Sequence, residues 1–314
     1  MGDGLQEEIR KIWELLADTD PAVQNQGLKR AKSLDDWSVV VKDCSIDEYG
    51  FVNIASGGKE YLPNSAIFKL LTTKPNFNVS NVTTIRLSRC SSLKNVDFLS
   101  DFTGLTTLKL SRCTSLQNID ALANLTQLTT LDLSRCTSLK NIGALANLTE
   151  LTELELSGCY SLENVDALET VRGYSKDGSA TFFSLADCRS LENLDGLVNM
   201  TGLTMLELLN CESLKNIDSL KNLTSLTHLD LYNCRSLSSI DVVVNFQELE
   251  VLNLWYCQSL CDVSVLRKLP KLRELNVAGC KQLGFSDGSE DSESFLAANM
   301  TNREDILAWL NALS

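Results

Sequence analysis

The sequence predicts an α/β solenoid, an arc of short parallel strands with a helical cap at its N-terminus and a cap helix at its C-terminus. Three observations predict it. Nine cysteines, Cys90, Cys113, Cys136, Cys159, Cys188, Cys211, Cys234, Cys257 and Cys280, stand 23 residues apart with a single interval of 29, and a fixed period of this length marks stacked repeat units. Within each unit a leucine pair such as Leu108 and Leu110, Leu131 and Leu133 or Leu229 and Leu231 alternates as a strand with one buried face does. At both ends of the chain the apolar residues change to helical spacing.

Taken in order, residues 1–80 read as a cap. "LQEEIRKIWELLA" sets Ile9, Ile12, Trp13 and Leu16 on one helical face, and "DPAVQNQGLKRAKSL" opens with Asp20 as N-cap and Pro21 at the first helical position. "WSVVVKDCSIDEYGFVNI" then predicts two strands around a turn at DEYG. The alternative for this region is a separate binding module. Residues 81–284 hold the repeats, whose unit is clearest in "LTTLKLSRCTSLQNIDALANLTQ" from Leu105. After the strand comes a helical or 3₁₀-like segment, with Asp97, Asp120, Asp166, Asp195, Asp218 and Asp241 placed as N-caps.

The long interval hides six extra residues near "GYSKDG", between Val171 and Ala180. An insertion that leaves strand phase intact maps to a loop, here just before the fifth strand. That would bring Tyr174 and Lys176 within reach of a ligand, unless the loop is a neutral surface insertion. Residues 285–314 combine the acidic, flexible-looking "FSDGSEDSES" with the helix "TNREDILAWLNAL". The helix has a capping box in Thr301 and Glu304 and an apolar face of Ile306, Leu307, Trp309 and Leu310. It reads as the closing element of the last repeat, with an exposed partner-binding helix as the alternative.

The pattern L-x-x-L-x-L-x-x-C-x-S-L, repeated between about residue 82 and residue 283, resembles the leucine-rich repeat family. It is most similar to the SDS22-like and internalin-like short repeats, with one residue added after the cysteine. The resemblance implies a right-handed arc with the parallel sheet on its concave side and short helices or turns on its convex side. Nine strands at roughly 4.8 Å spacing would make a face about 40 Å long. It also implies that each repeat cysteine points inward, as a small buried hydrophobe with a weak donor that can meet the turn backbone. Cys261, the second member of a C-x₃-C pair with Cys257, is expected to be a buried leucine substitute.

Composition narrows the function. The chain is 44% apolar and 22% charged, ordinary for a globular protein, with a formal net charge of −13 that disfavours nucleic acid and anionic membrane as partners. The start shows no basic-then-apolar signal pattern. Eleven cysteines, an odd number, point to a reducing, cytoplasmic setting with free thiols. Seven Asn-X-Ser/Thr sequons pull the other way, but four of them belong to the repeated NLT or NMT turn. A zinc site would need clustered ligands, whereas the thiols form one line and His228 is the only histidine. There is no Gly-rich phosphate loop and no H-E-x-x-H. The expectation is therefore no enzyme, no cofactor and no metal.

In the resembled family the variable residues around the strand leucines face the concave surface and bind partners. Those positions give Arg86, Arg89, Lys109, Arg112 and Arg135 first, then Asp132, Glu153, Glu155, Asp187, Glu207 and Asp230. Met205, Leu209, His228, Tyr232, Trp255 and Tyr256 come last, so the face grades from basic through acidic to aromatic. Tyr232, Trp255 and Tyr256 are the expected anchors, unless they only stack on one another and on the C-terminal cap. The sequence thus predicts a monomeric protein-protein interaction scaffold, an adaptor or regulatory protein. The alternative is a secreted or host-directed recognition protein of internalin-like or effector type.

Overall fold

The computed structural model describes residues 8, 11–12, 21–32, 44–46, 51–54, 79, 82–91, 93–174, 181–283 and 299–312. Nine repeat strands follow one another: β3 (Thr84–Arg86), β4 (Thr107–Lys109), β5 (Thr130–Asp132), β6 (Glu153–Glu155), β7 (Phe182–Ser184), β8 (Met205–Glu207), β9 (His228–Asp230), β10 (Val251–Asn253) and β11 (Glu274–Asn276). Each is three residues long with its middle residue buried, because the chain must turn within the next few residues. The turn is made in left-handed backbone at the position before the cysteine, where Arg89, Arg112, Arg135, Asp187, Asn210, Asn233 and Tyr256 all have φ between 59° and 66°. Their amide N–H groups donate to the next repeat, as Arg112 does to the Ser134 carbonyl at 2.7 Å and Asn210 to the Tyr232 carbonyl at 2.7 Å.

The cysteines do look inward. Eight of them, from Cys113 to Cys280, are fully buried, and each thiol donates to a leucine carbonyl of the preceding repeat. Cys113 reaches Leu87 at 3.1 Å, Cys211 reaches Leu185 at 3.3 Å and Cys280 reaches Leu254 at 3.0 Å. A side chain of this size fills the corner of the coil while satisfying a carbonyl that would otherwise be stranded in the core. Cys90, in the first repeat, is only partly buried, and Cys261 is exposed. Cys261 is thus no leucine substitute: it lies beyond the inward Leu260, on the outward side of the descending turn.

The segments after the turns are 3₁₀ helices, such as Asp120–Asn124, Gly143–Asn147 and Asp218–Asn222. Their aspartates are not the caps. No side-chain cap bond is made at the residue preceding each helix. The residue two before the helix start does the work instead, as Asn118 Oδ1 accepts the Asp120 N–H at 2.7 Å and Asn141 Oδ1 that of Gly143 at 2.6 Å. An Asx turn of this kind holds the entry where Asp sits one step too late to reach an N-terminal amide of its own.

The nine strands do not form one uninterrupted sheet. Two earlier strands, β1 (Cys44–Ile46) and β2 (Phe51–Ile54), make one six-stranded sheet with β3 to β6, a late strand, β12 (Asn299–Met300), makes another with β7 to β11, and the break falls at the inserted residues. Gly173 presses against the Leu151 carbonyl so closely that a Cβ would stand 2.2 Å from that oxygen. Tyr174, expected to reach a ligand, is buried. Its hydroxyl accepts the Leu154 N–H at 3.0 Å, and its ring meets Phe183 edge-on at 5.1 Å. The threonine ladder that precedes the strands stops at the same point. Thr106, Thr129 and Thr152 each donate to the preceding repeat, as do Thr204 and Thr227 beyond the gap. The two sheets rejoin just past the strands, where Gly158 N–H donates to Ala186 at 2.7 Å. Lys176 lies outside the described residues.

Both ends of the arc carry added strands. Helix α1 (Pro21–Lys32) begins at Pro21, and β1 pairs antiparallel with β2 before β2 joins β3 in parallel; the predicted turn at DEYG lies outside the described residues. Ile12 is buried, and Glu8 pairs with Arg30 across the N-terminal segment. Ile9, Trp13, Leu16 and Asp20 lie outside the described residues. At the other end β12 (Asn299–Met300) pairs antiparallel with β11, and α2 (Arg303–Ala312) buries Ile306 and Leu310, leaving Leu307 and Trp309 half-buried. The helix is entered through Asn302, whose Oδ1 accepts the Asp305 N–H at 2.9 Å. Thr301 and Glu304 are exposed, so the capping box is replaced by an Asn cap one residue later. Arg303 and Arg267 tie the helix to its repeat through the carbonyls of Leu269 and Leu310.

Candidate functional site on the concave face

Parallel register lines the outward residues of the strands into files. One file runs Thr84, Thr107, Thr130, Glu153 in the first sheet and Phe182, Met205, His228, Val251 in the second. The next runs Arg86, Lys109, Asp132, Glu155, then Ser184, Glu207, Asp230, Asn253. The third, two before the cysteines, changes from Ser88, Ser111, Ser134 and Ser157 to Ala186, Leu209, Tyr232 and Trp255. Arg86, Lys109, Asp132, Glu153, Glu155, Glu207, His228, Asp230, Tyr232 and Trp255 fall in these files, while Arg89, Arg112, Arg135 and Tyr256 stand one residue further on, in the left-handed turn before each cysteine; basic, acidic and aromatic zones follow chain order.

The zones differ in how far their side chains are already engaged. Asp132 and Asp230 serve their own turns. Asp132 Oδ1 accepts the Ser134 N–H at 3.0 Å and its hydroxyl at 2.6 Å, while Asp230 Oδ1 accepts the Tyr232 N–H at 2.8 Å and Asn253 Nδ2 at 3.1 Å. Burial pushes the Asp230 carboxyl up despite those bonds. Asp187 is held by Asn210, which is held in turn by Asn233, each bond 2.8 Å. Each of these aspartates thus has one carboxylate oxygen already engaged within the fold. His228 Nδ1 stands 2.9 Å from the Thr227 hydroxyl.

Glu153, Glu155 and Glu207 are less tied. Glu155 borders a notch of about 460 Å³ where the sheets part, with Glu153, Thr152, Tyr174, Phe182 and Phe183 among its walls. Partial burial, then the charges of Asp132, Glu153 and Glu207, push the Glu155 carboxyl up. Among the described residues no group of three or more His, Cys, Asp or Glu is placed to hold a metal ion, and no helix is long and apolar enough to cross a membrane.

The aromatic residues form one cluster. Trp255 and Tyr256 stack at 5.7 Å with their planes 15° apart, and Tyr232 meets both edge-on at 5.3 and 6.2 Å. All three remain partly exposed. Phe182, absent from the sequence reading, is 43% exposed at the head of the same half of the face. Its signal was available: once Phe183 is placed in the inward leucine slot, Phe182 falls in the outward one. The insertion beside it obscured that alignment.

A stack of one-strand units, an inward cysteine in each turn and a variable inner face define a leucine-rich repeat protein. The BspA type leucine rich repeat region matches in six copies over residues 67–177 and 178–286, so the chain belongs to that family. Similar solved structures include internalin C2 of Listeria monocytogenes, 20% identical over 84% of this chain and 94% of that one, TM-score 0.40. Another is the leucine-rich repeat domain of the type III effector XopL, 16% identical over 88% and 93%, TM-score 0.49. Internalin F of Listeria monocytogenes is 18% identical over 92% and 94%, TM-score 0.31. No curated protein matches the chain.

Proposed function

We propose that the chain is a non-enzymatic scaffold, an adaptor or regulatory protein, that holds a protein partner on its concave face. The observation that carries this reading is the partly exposed cluster of Tyr232, Trp255 and Tyr256 beside the Phe182–Met205 file. Rings already packed on one another lose little conformational freedom on binding and offer much contact area. The polar and charged first half of the face supplies orientation. The hairpin at one end and β12 with α2 at the other support reading 1–80 and 285–314 as caps around the repeat region 81–284.

A reducing compartment fits ten described cysteines that are all free. It also fits the use made of the sequon turn. Asn147, Asn199 and Asn222 each donate the side-chain amide to a carbonyl of the preceding repeat, at 3.2, 3.0 and 3.4 Å, which gives the recurring NLT a structural purpose. Affinity capture with the intact chain and with a Trp255→Ala, Tyr256→Ala variant tests the proposal. Partners retained by the first and lost by the second support it; a partner set unchanged by the substitutions rejects it. Thiol titration of the denatured chain checks the compartment: about eleven free thiols are expected, and cross-linked cysteines or glycosylated sequons point to the secreted alternative.

A further inference from the structure

Some cations on this arc meet an acid one repeat away, while others at the same spacing, Lys215 from Glu192 and Arg235 from Glu212, form no ion pair among the described residues. Lys140 pairs with Glu163, Arg189 with Glu212 and Arg273 with Glu250, each 23 residues apart. The basic zone is different. Arg89, Arg112 and Arg135 occupy the same position in three consecutive repeats, all exposed, each with its backbone in register with the next. Their cross-repeat neighbours are one another, and among the described residues none of them, nor Lys109, enters an ion pair. Asp132 lies beside Lys109 across the strand pair but turns its Oδ1 into its own turn, toward Ser134.

This file works against stability twice. Like charges on adjacent strands repel, and an arginine in left-handed backbone gives up conformational ease that glycine would keep. The repeat itself shows that glycine fits there, because Gly158 and Gly279 hold the same position further along. Gly158 also makes room for the Arg135 side chain, whose Cγ would stand 2.8 Å from a Cβ at that site. A costly arrangement of unpaired guanidinium groups, in a chain of net charge −13, is explained by an anion that neutralises them.

We propose that Arg89, Arg112 and Arg135, with Lys109 beside them, form a docking row for an acidic, Asp/Glu-rich extended segment of the protein partner. Three adjacent strands at roughly 4.8 Å place the outer guanidinium groups about 10 Å apart, the length of three residues of extended chain at about 3.4 Å each. Carboxylates are the natural mates of arginine's planar fork. The acidic zone that starts at Glu153 and Glu155 repels the same segment and so fixes where it stops. This deepens the docking reading and rests on it only in taking the inner side of the arc as the contact surface. The two fail separately, because the Trp255→Ala, Tyr256→Ala variant keeps the arginine row intact.

The test is fluorescence anisotropy with the full chain titrated onto a labelled dodecapeptide of alternating Glu and Ser. Saturable binding that weakens as salt rises is expected, with an affinity loss of about ten-fold or more in the Arg89→Gln, Arg112→Gln, Arg135→Gln variant. The triple Arg→Lys variant should retain part of the affinity, and Lys221→Gln, on an exposed 3₁₀ segment away from the row, should bind like wild type. Thermal melting of the glutamine variant confirms that it is folded; should it melt early, the single Arg112→Gln variant takes its place with a smaller loss expected. Three results overturn the proposal: no binding of the peptide by wild type, equal binding by the glutamine variant, or a preference for a single-stranded oligonucleotide over the peptide.

Discussion

The hydroxyl of Tyr174 accepts the backbone N–H of Leu154 at 3.0 Å, standing in for the neighbouring strand that a continuous ladder would have supplied. A residue from the insertion thus repairs the gap that the insertion opens. Removing only the oxygen, in Tyr174→Phe, leaves a buried amide unsatisfied and should cost about 1–3 kcal/mol. Urea denaturation reads the change, and an unaltered midpoint would show that the amide is satisfied by water.

The buried thiols should be silent at neutral pH. Burial pushes Cys136, Cys188, Cys234 and Cys280 up to about 12 from an ordinary value of 9.0. A thiol reagent should label exposed Cys261 ahead of partly buried Cys90, with the eight buried repeat cysteines from Cys113 to Cys280 labelled only on unfolding. Sign and window follow from linkage. The folded state holds these protons more tightly, so their contribution is complete below about pH 9 and is lost as pH rises toward about 12. Denaturation midpoints measured across that range should fall; a flat profile would contradict the burial assigned to the thiols.

Two glycines differ in what a side chain would meet: flexible side chain at Gly158, fixed backbone at Gly196. At Gly158, φ is +79° and a Cβ would approach Arg135 Cγ to 2.8 Å; at Gly196 it would stand 1.7 Å from the Val165 carbonyl oxygen. Gly158→Ala should destabilise by about 1–2 kcal/mol through its left-handed backbone, since the arginine can move aside. Gly196→Ala meets backbone that cannot move cheaply and should cost more. Comparing the two melting curves checks the order, and equal losses would refute it.

Glu155 should be a site where neutralisation helps. Its carboxyl is pushed up by partial burial and by Asp132, Glu153 and Glu207, so its ionised form works against the fold at neutral pH. Glu155→Gln should raise the melting temperature near pH 7, and the gain should vanish in acid, where the wild-type carboxyl is protonated. A loss of stability at pH 7 would mean that the carboxylate is being used by a partner group within the fold.

Much of the fold was legible because one residue type marks each turn. The cysteine spacing set the phase of every repeat, and from that phase the inward leucines, the 3₁₀ segments and the outward files could be assigned. The errors arose where a neighbour in space, distant or adjacent in sequence, decided the outcome. Asp120 has the composition of an N-cap, but Asn118 reaches the amide first. Tyr174 looked like a surface residue in an insertion, and only the missing ladder partner at Leu154 explains its burial. A further detail the repeat pattern does not show is that Asp132 and Asp230, read as concave-face carboxylates, each also accept a backbone amide two residues ahead. Phe182 was overlooked because the long repeat displaced the leucine frame beside it.

The most direct test of a concave docking face is hydrogen exchange on the chain with and without a captured partner. The account predicts slowed exchange in and just after β8, β9 and β10, including Leu209, Tyr232 and Trp255, with the 3₁₀ segments Asp218–Asn222 and Asp241–Asn245 unchanged. Protection confined to those 3₁₀ segments, with the strands untouched, would contradict it.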